Sequence, residues 1–163
     1  VKFCLKNKEN PIYLRIGKSG EKNFTKISKE KWKFGKIRKI ISGKKICILT
    51  YGPTIELGFK IKEICRDEIS IYSCHTLEPF DKKGFDKILK NYEKIIFLED
   101  HIETGGLKSI ISEYLIEKKI NKQLFFFHLQ KKFLNAYDSQ KSLQTKHGFD
   151  IKNIMKKTKL ISK

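Results

Sequence analysis

Three short apolar runs, each followed by a segment with helical apolar spacing, constrain this chain more than any other feature. Ile46-Cys47-Ile48-Leu49-Thr50 leads through Tyr51-Gly52-Pro53-Thr54 into the first such segment. Ile69 to Cys74 leads through His75-Thr76-Leu77-Glu78-Pro79-Phe80-Asp81 into the second, and Ile95 to Leu98 through Glu99-Asp100-His101 and Gly105-Gly106 into the third. Strands spaced by crossovers of roughly 20 residues predict a parallel sheet, because parallel neighbours need a long return path. Two further strand-like runs flank this set. Residues 36–41 precede 46–50 across Ser42-Gly43-Lys44-Lys45, a link that reads as a hairpin and predicts one antiparallel strand. Residues 124–129 supply the last strand.

The helix ends are equally readable. Thr54 or Pro53 starts the first helix, whose expected apolar face is Leu57, Ile61, Ile64 and Cys65. Asp81 is placed to cap the second, with Phe85, Ile88 and Leu89 inward. Leu107, Ile110, Ile111, Tyr114 and Leu115 follow the i, i+3, i+4, i+7, i+8 spacing in the third. Ser139 and Asp150 are expected caps of two short final helices, with Gly148 as a stop between them. The fold class read from this pattern is α/β, with a mixed, mostly parallel five-stranded sheet covered by helices on both faces.

The first 35 residues read differently. Val1 to Leu5 has helical spacing, Asn7 to Asn10 break it, and Pro11 to Ile16 alternates like a strand. Residues 19–35 are polar and lysine-rich, a connector ordered at most by Phe24, Trp32 and Phe34. The expected division is therefore 1–18 as the tail of another unit, 19–35 as a linker and 36–163 as the domain. A first residue other than Met suggests a piece of something longer. The lack of a basic-then-apolar leader leads us to expect a cytoplasmic protein, and no run approaches the length of a membrane span.

A net charge of +18 invites a nucleic-acid reading. The composition argues against it: only Arg15, Arg38 and Arg66 are arginine and Ala136 is the single alanine, as a genome-wide AT bias would produce. The lysines are spread along the chain and form no stripe. Cys4, Cys47, Cys65 and Cys74 show no CxxC spacing and read as reduced thiols, mostly in the core.

Function must then come from the turns. Glu99, Asp100 and His101 with Gly105-Gly106 put a polar cluster on the sheet's carboxyl rim, where open α/β sheets bind ligands. Two glycines before a helix could cradle an anion, or could simply let helix and strand pack closely. No nucleophile–base pair is evident.

Read together, several stretches resemble the C-terminal part of the transketolase and deoxyxylulose-phosphate synthase family, in the family's order and spacing. They are Pro11 to Lys18, Gly35-Lys36, Gly43-Lys44, Ile48 to Gly52, Ser73 to Asp81, Glu99 to His101, Gly105 to Leu107, and Leu143 to Asp150. The resemblance implies a three-layer α/β/α C-terminal domain, with residues 1–18 as the last helix and strand of a preceding pyrimidine-binding domain. It implies an enzyme using thiamine diphosphate and Mg²⁺, both held by upstream domains or an N-terminal-section subunit and not by this chain. It further implies a homo-oligomer, phosphorylated sugar substrates, and two-carbon ketol transfer in which this domain serves as scaffold and subunit interface. No residue here would be catalytic, and the chain alone should be inactive. Lys18 stands where the family has the arginine that contacts the sugar phosphate, with Arg15 the earlier basic residue. Glu99, His101, Gly105 and Gly106 become a structural turn at a strand end, in conflict with a ligand site on the rim. Lys108 stands where the family has glycine, and the pattern between His128 and Tyr137 is blurred. The rival from the residues alone is a free-standing basic α/β module for phosphorylated ligands or nucleic acid.

Overall fold

A computed structural model describes residues 2–7, 9–17, 22–24 and 26–160. Its centre is a five-stranded sheet in the order β1-β3-β2-β4-β5. The strands are β1 (Arg38–Ile41), β2 (Ile46–Thr50), β3 (Ile69–Ser73), β4 (Lys94–Ile102) and β5 (Leu124–Leu129). β2 pairs in parallel with both β3 and β4, β4 pairs in parallel with β5, and β1 alone is antiparallel, against β3. The mixed sheet expected from the sequence is therefore present.

Alternation along the strands divides the core in two. Ile48, Ile71, Ile96 and Leu98 face one layer, where they meet α2 (Ile55–Cys65) and α6 (Ile151–Thr158) through Ile61, Ile154 and Met155. Cys47, Leu49, Ile95 and Phe97 face the other, against α3 (Lys82–Asn91) and α4 (Leu107–Glu117) through Phe85, Ile88, Leu107, Ile111 and Tyr114. The caps fall where the sequence places them. Asp81 accepts from Gly84 N–H, Ser139 from Ser142 N–H ahead of α5 (Gln140–Lys146), and Asp150 from Asn153 N–H. Gly148, at φ +73°, ends the α5 turn.

Three sequence expectations are corrected. β1 and β2 do not form a hairpin, because β3 lies between them. Their link passes across the start of β3 instead. Gly43 donates its N–H to Ser70 Oγ at 2.6 Å and accepts from it at 3.1 Å, while Lys44 and Lys45 N–H reach the carbonyls of Asp67 and Glu68. A Cβ on Gly43 would sit 2.2 Å from the Ile69 carbonyl carbon, so only glycine allows this crossing. Ser70 spends its one proton on Gly43, so Tyr92 donates to Ser70 and Tyr72 donates to Tyr92, each at 2.9 Å. Secondly, residues 11–16 pair with no strand, and Tyr13 and Ile16 are 90% and 76% exposed. Alternation makes a strand only when an edge accepts it. Thirdly, Ile64 is exposed, because the inward stripe of α2 runs through Ile55, Gly58 and Ile61.

The N-terminal segment nevertheless orders against the domain. In α1 (Lys2–Lys6), Phe3 stacks on Phe34 with ring centres 4.4 Å apart, and Trp32 meets both Phe3 and His75. Phe24 stacks on Phe59 of α2 at 4.8 Å. The connector also covers the outer edge of β1. Ser28 Oγ donates to Lys39 O at 2.6 Å, Lys39 N–H donates to Glu30 Oε2 at 2.9 Å, and Arg38 Nε donates to Glu30 O at 2.8 Å. Side chains thus occupy backbone groups that an open edge would offer to another strand.

Candidate functional site

The helices after β2 and β4 leave toward opposite faces, so the carboxyl ends of these adjacent strands form the switch point where open α/β sheets bind ligands. Here the crevice is filled from within. Thr50 Oγ1 donates to Leu98 O at 2.9 Å, and Tyr51 OH donates to Glu99 Oε2 at 3.3 Å. Glu99 is 2% exposed and its carboxylate also accepts the N–H groups of Leu107 at 2.8 Å and Lys108 at 3.1 Å. These are the first two amides of α4, whose N-cap Gly106 has no side chain to offer. Glu99 therefore caps the helix from the neighbouring strand, its charge matched to the positive helix end.

The glycine pair follows from this arrangement. A Cβ on Gly106 would lie 2.3 Å from Glu99 Oε2 and 3.2 Å from His101 Nδ1. Gly105 adopts φ +80° and donates its N–H to Ser109 Oγ at 2.9 Å. The α4 amides that could have held an anion are thus engaged by a carboxylate. β4 also runs further than the expected 95–98, through to Ile102, so Glu99 and His101 are strand residues. The extension rests on a register shift after Leu98 that brings Ile102 opposite Leu129 of β5.

Around this capped helix the side chains pair off. His101 Nδ1 lies 2.9 Å from Ile102 O, which only accepts, so the proton is on Nδ1. His128 likewise uses Nδ1–H toward Leu129 O, leaving Nε2 to accept from Lys108 Nζ at 3.4 Å. Lys108 pairs with Glu103 at 3.5 Å, and Gln140 donates to Asp100 at 2.8 Å. Burial first, and then the Glu99 carboxylate, push the Tyr51 hydroxyl far above its ordinary range, while the Arg15 charge acts in the opposite direction. Tyr51 is thereby kept as a neutral donor. Sequence reasoning did not single out Tyr51, since its partner is 48 residues away and only the parallel pairing of β2 with β4 joins them.

Of the residues singled out from the sequence, Glu99, His101, Gly105 and Gly106 thus lie together at the start of α4. Arg15, exposed on the N-terminal segment, is in electrostatic range of Tyr51. Lys18 lies outside the described residues. Among the described residues no group of three or more His, Cys, Asp or Glu could hold a metal ion. No helix among the described residues is long and apolar enough to cross a membrane.

Residues 35–154 match the family described as "Transketolase, C-terminal domain". The chain belongs to that family. Among curated proteins it is similar to the 1-deoxy-D-xylulose-5-phosphate synthase of Francisella tularensis subsp. mediasiatica, with 31% identity over 103 residues, or 62% of this chain and 16% of that protein. The corresponding synthase of Francisella tularensis subsp. novicida is 30% identical over the same extent. The chain thus spans about a sixth of the length of these relatives. Among solved structures, one titled "Split gene transketolase, inactive beta4 tetramer" superposes with a TM-score of 0.83 at 18% identity, over 97% of this chain and 52% of that one. A Pichia stipitis transketolase in complex with sedoheptulose 7-phosphate gives 0.50 at 13% identity, over 76% and 17%. At such identities these likenesses establish the transketolase C-terminal α/β fold.

Proposed function

We propose that this chain is the C-terminal part of a thiamine-diphosphate-dependent transketolase-type enzyme that transfers two-carbon ketol units between sugar phosphates. The cofactor, when bound, supplies the electron sink for the carbanion. On this reading residues 1–18 end a preceding pyrimidine-binding domain, 19–35 link, and 36–163 form the C-terminal domain. The cofactor and Mg²⁺ belong to domains upstream, on the same chain or on a separate subunit. This domain contributes scaffold and subunit contacts within a homo-oligomer. The family match across 35–154 carries the proposal, and the internally bonded rim supports it. A buried carboxylate committed to two amides and a tyrosine acts as a brace for the helix start. Lys18, by its place in the family's motif, and Arg15, whose charge reaches that rim, are assigned to the phosphate end of the substrate channel.

The test is reconstitution. The chain with thiamine diphosphate, Mg²⁺ and sugar phosphates should give no product, and adding an upstream section should restore turnover. Turnover by the chain alone overturns the scaffold assignment. Since the curated relatives are named as synthases and the solved neighbours as transketolases, the assay should read both products. Synthase product without ketol transfer would overturn the transfer reading.

A further inference from the structure

A cleft of about 360 Å³ lies at the antiparallel edge of the sheet, lined by Glu30, Lys31, Lys33, Lys36, Ile37 and Arg38. Four of these six are basic and one is acidic. Glu30 directs its carboxylate to the Lys39 N–H, and Lys36 pairs with Asp81 at 3.2 Å. Lys31 and Lys33 take part in none of the ion pairs among the described residues. The segment that carries them sets both residues along the cleft. In Lys31-Trp32-Lys33-Phe34 the aromatic residues turn to one side, where Phe34 stacks on Phe3 and Trp32 sits against His75 at 5.3 Å. The lysines alternate to the other side, into the cleft. These ring contacts, made by half-exposed Trp32 (46%) and Phe34 (39%), tether the backbone that carries both lysines, so less backbone freedom is lost on binding an anion.

We infer that this edge cleft is an oligophosphate site, in which Lys31 and Lys33 bind adjacent phosphoryl groups of a free polyphosphate or of a nucleoside triphosphate. Lysine suits this role as a point charge with rotatable donors. The cleft lies at the β1 edge, apart from the β2/β4 rim, and requires no upstream domain, so its test is independent of reconstitution.

Trp32 is the only tryptophan in the chain, so its emission reports directly on the segment. Titration of the whole chain with tripolyphosphate, and separately with ATP, should give a saturable emission change matched by calorimetry, with Kd below about 1 mM. Lys31→Gln with Lys33→Gln should weaken binding at least about tenfold at an unchanged thermal midpoint, as expected for loss of charge-assisted bonds. A matched pair at the end of α4, Lys118→Gln with Lys119→Gln, should leave it intact. Equal affinity for both ligands identifies the phosphates as what is read, and tighter ATP binding adds the nucleoside. Absence of saturation, or equal weakening by the two double variants, overturns the site and leaves only net-charge attraction.

Discussion

The start of α4 and the segment around Tyr13 are both apolar–polar mixtures in sequence, yet they end in opposite states. At the start of α4 the Gly105 and Leu107 amides meet partners, Ser109 from the helix itself and Glu99 from β4, and Glu99 in turn is met by Tyr51 from the end of β2. Around Tyr13, Leu14 and Ile16 the side chains are exposed and the backbone forms no ladder. Apolar alternation records what a segment is suited to cover, whereas structure forms only where the complementary surface is present. The first region is self-sufficient, whereas the second finds no complementary surface among the described residues.

Substitutions can break or sharpen this contrast. The largest effect is expected in the layer beneath α4, where Ile111 is fully buried. Ile111→Ala should lower stability by about 2–5 kcal/mol, the range for truncating a buried aliphatic side chain. A thermal shift no larger than that of a surface Lys→Ala variant would refute the burial. Next is the brace itself. Glu99→Ala strands two helix amides and a tyrosine hydroxyl in a buried site, at a cost of about 1–3 kcal/mol. Equal denaturation midpoints for variant and wild type would show that water replaces the carboxylate without loss.

A smaller effect belongs to Asp81 at the head of α3. Burial raises its pKa, but the N–H groups of Ile37 and Gly84 and the Lys36 ammonium outweigh that, leaving it below the ordinary carboxylate value. Because the folded-state pKa is lowered, its stabilisation is complete above the unfolded carboxylate value near 3.8 and is lost as pH falls through the folded value. Asp81→Ala should cost about 0.5–2 kcal/mol at neutral pH, as for other helix caps. The gap from wild type should narrow in acid, and urea melts at neutral and acid pH should show it. A gap independent of pH would mean that the carboxylate charge is not what holds the turn. The smallest effect is expected in the N-terminal segment. Tyr13→Ala and Ile16→Ala should stay within about 0.5 kcal/mol of wild type by thermal melt, as exposed positions do. A loss comparable to that at Ile111 would show that the segment is already packed in the chain alone.

What was legible in the sequence was local. Strand runs, caps and the inward faces of α3 and α4 depend on residues a few positions apart, and Asp81, Ser139 and Asp150 declare themselves by type and spacing. Pairings across the sheet were not legible. The link around Gly43 looks like any hairpin until Ser70 is known to lie beneath it, and nothing near Tyr51 in the chain announces Glu99. The rim cluster was visible as a set of polar residues at the right place, but whether it faces a ligand or its own helix depends on which lone pairs are already taken.

The crossing at Gly43 carries a consequence for the order in which the chain acquires its structure. β1 and β2 are separated by only four residues, yet β1 has no place to dock until β3, almost thirty residues further on, has paired with β2. The earliest strand in the sequence is therefore expected to be a late arrival in the sheet, since its ladder waits for a distant segment to close. During synthesis, residues 38–41 would leave the ribosome well before their partner and stay unpaired for that interval. Pulse-labelled hydrogen exchange during refolding would see this as β1 amides gaining protection after those shared by β2 and β4.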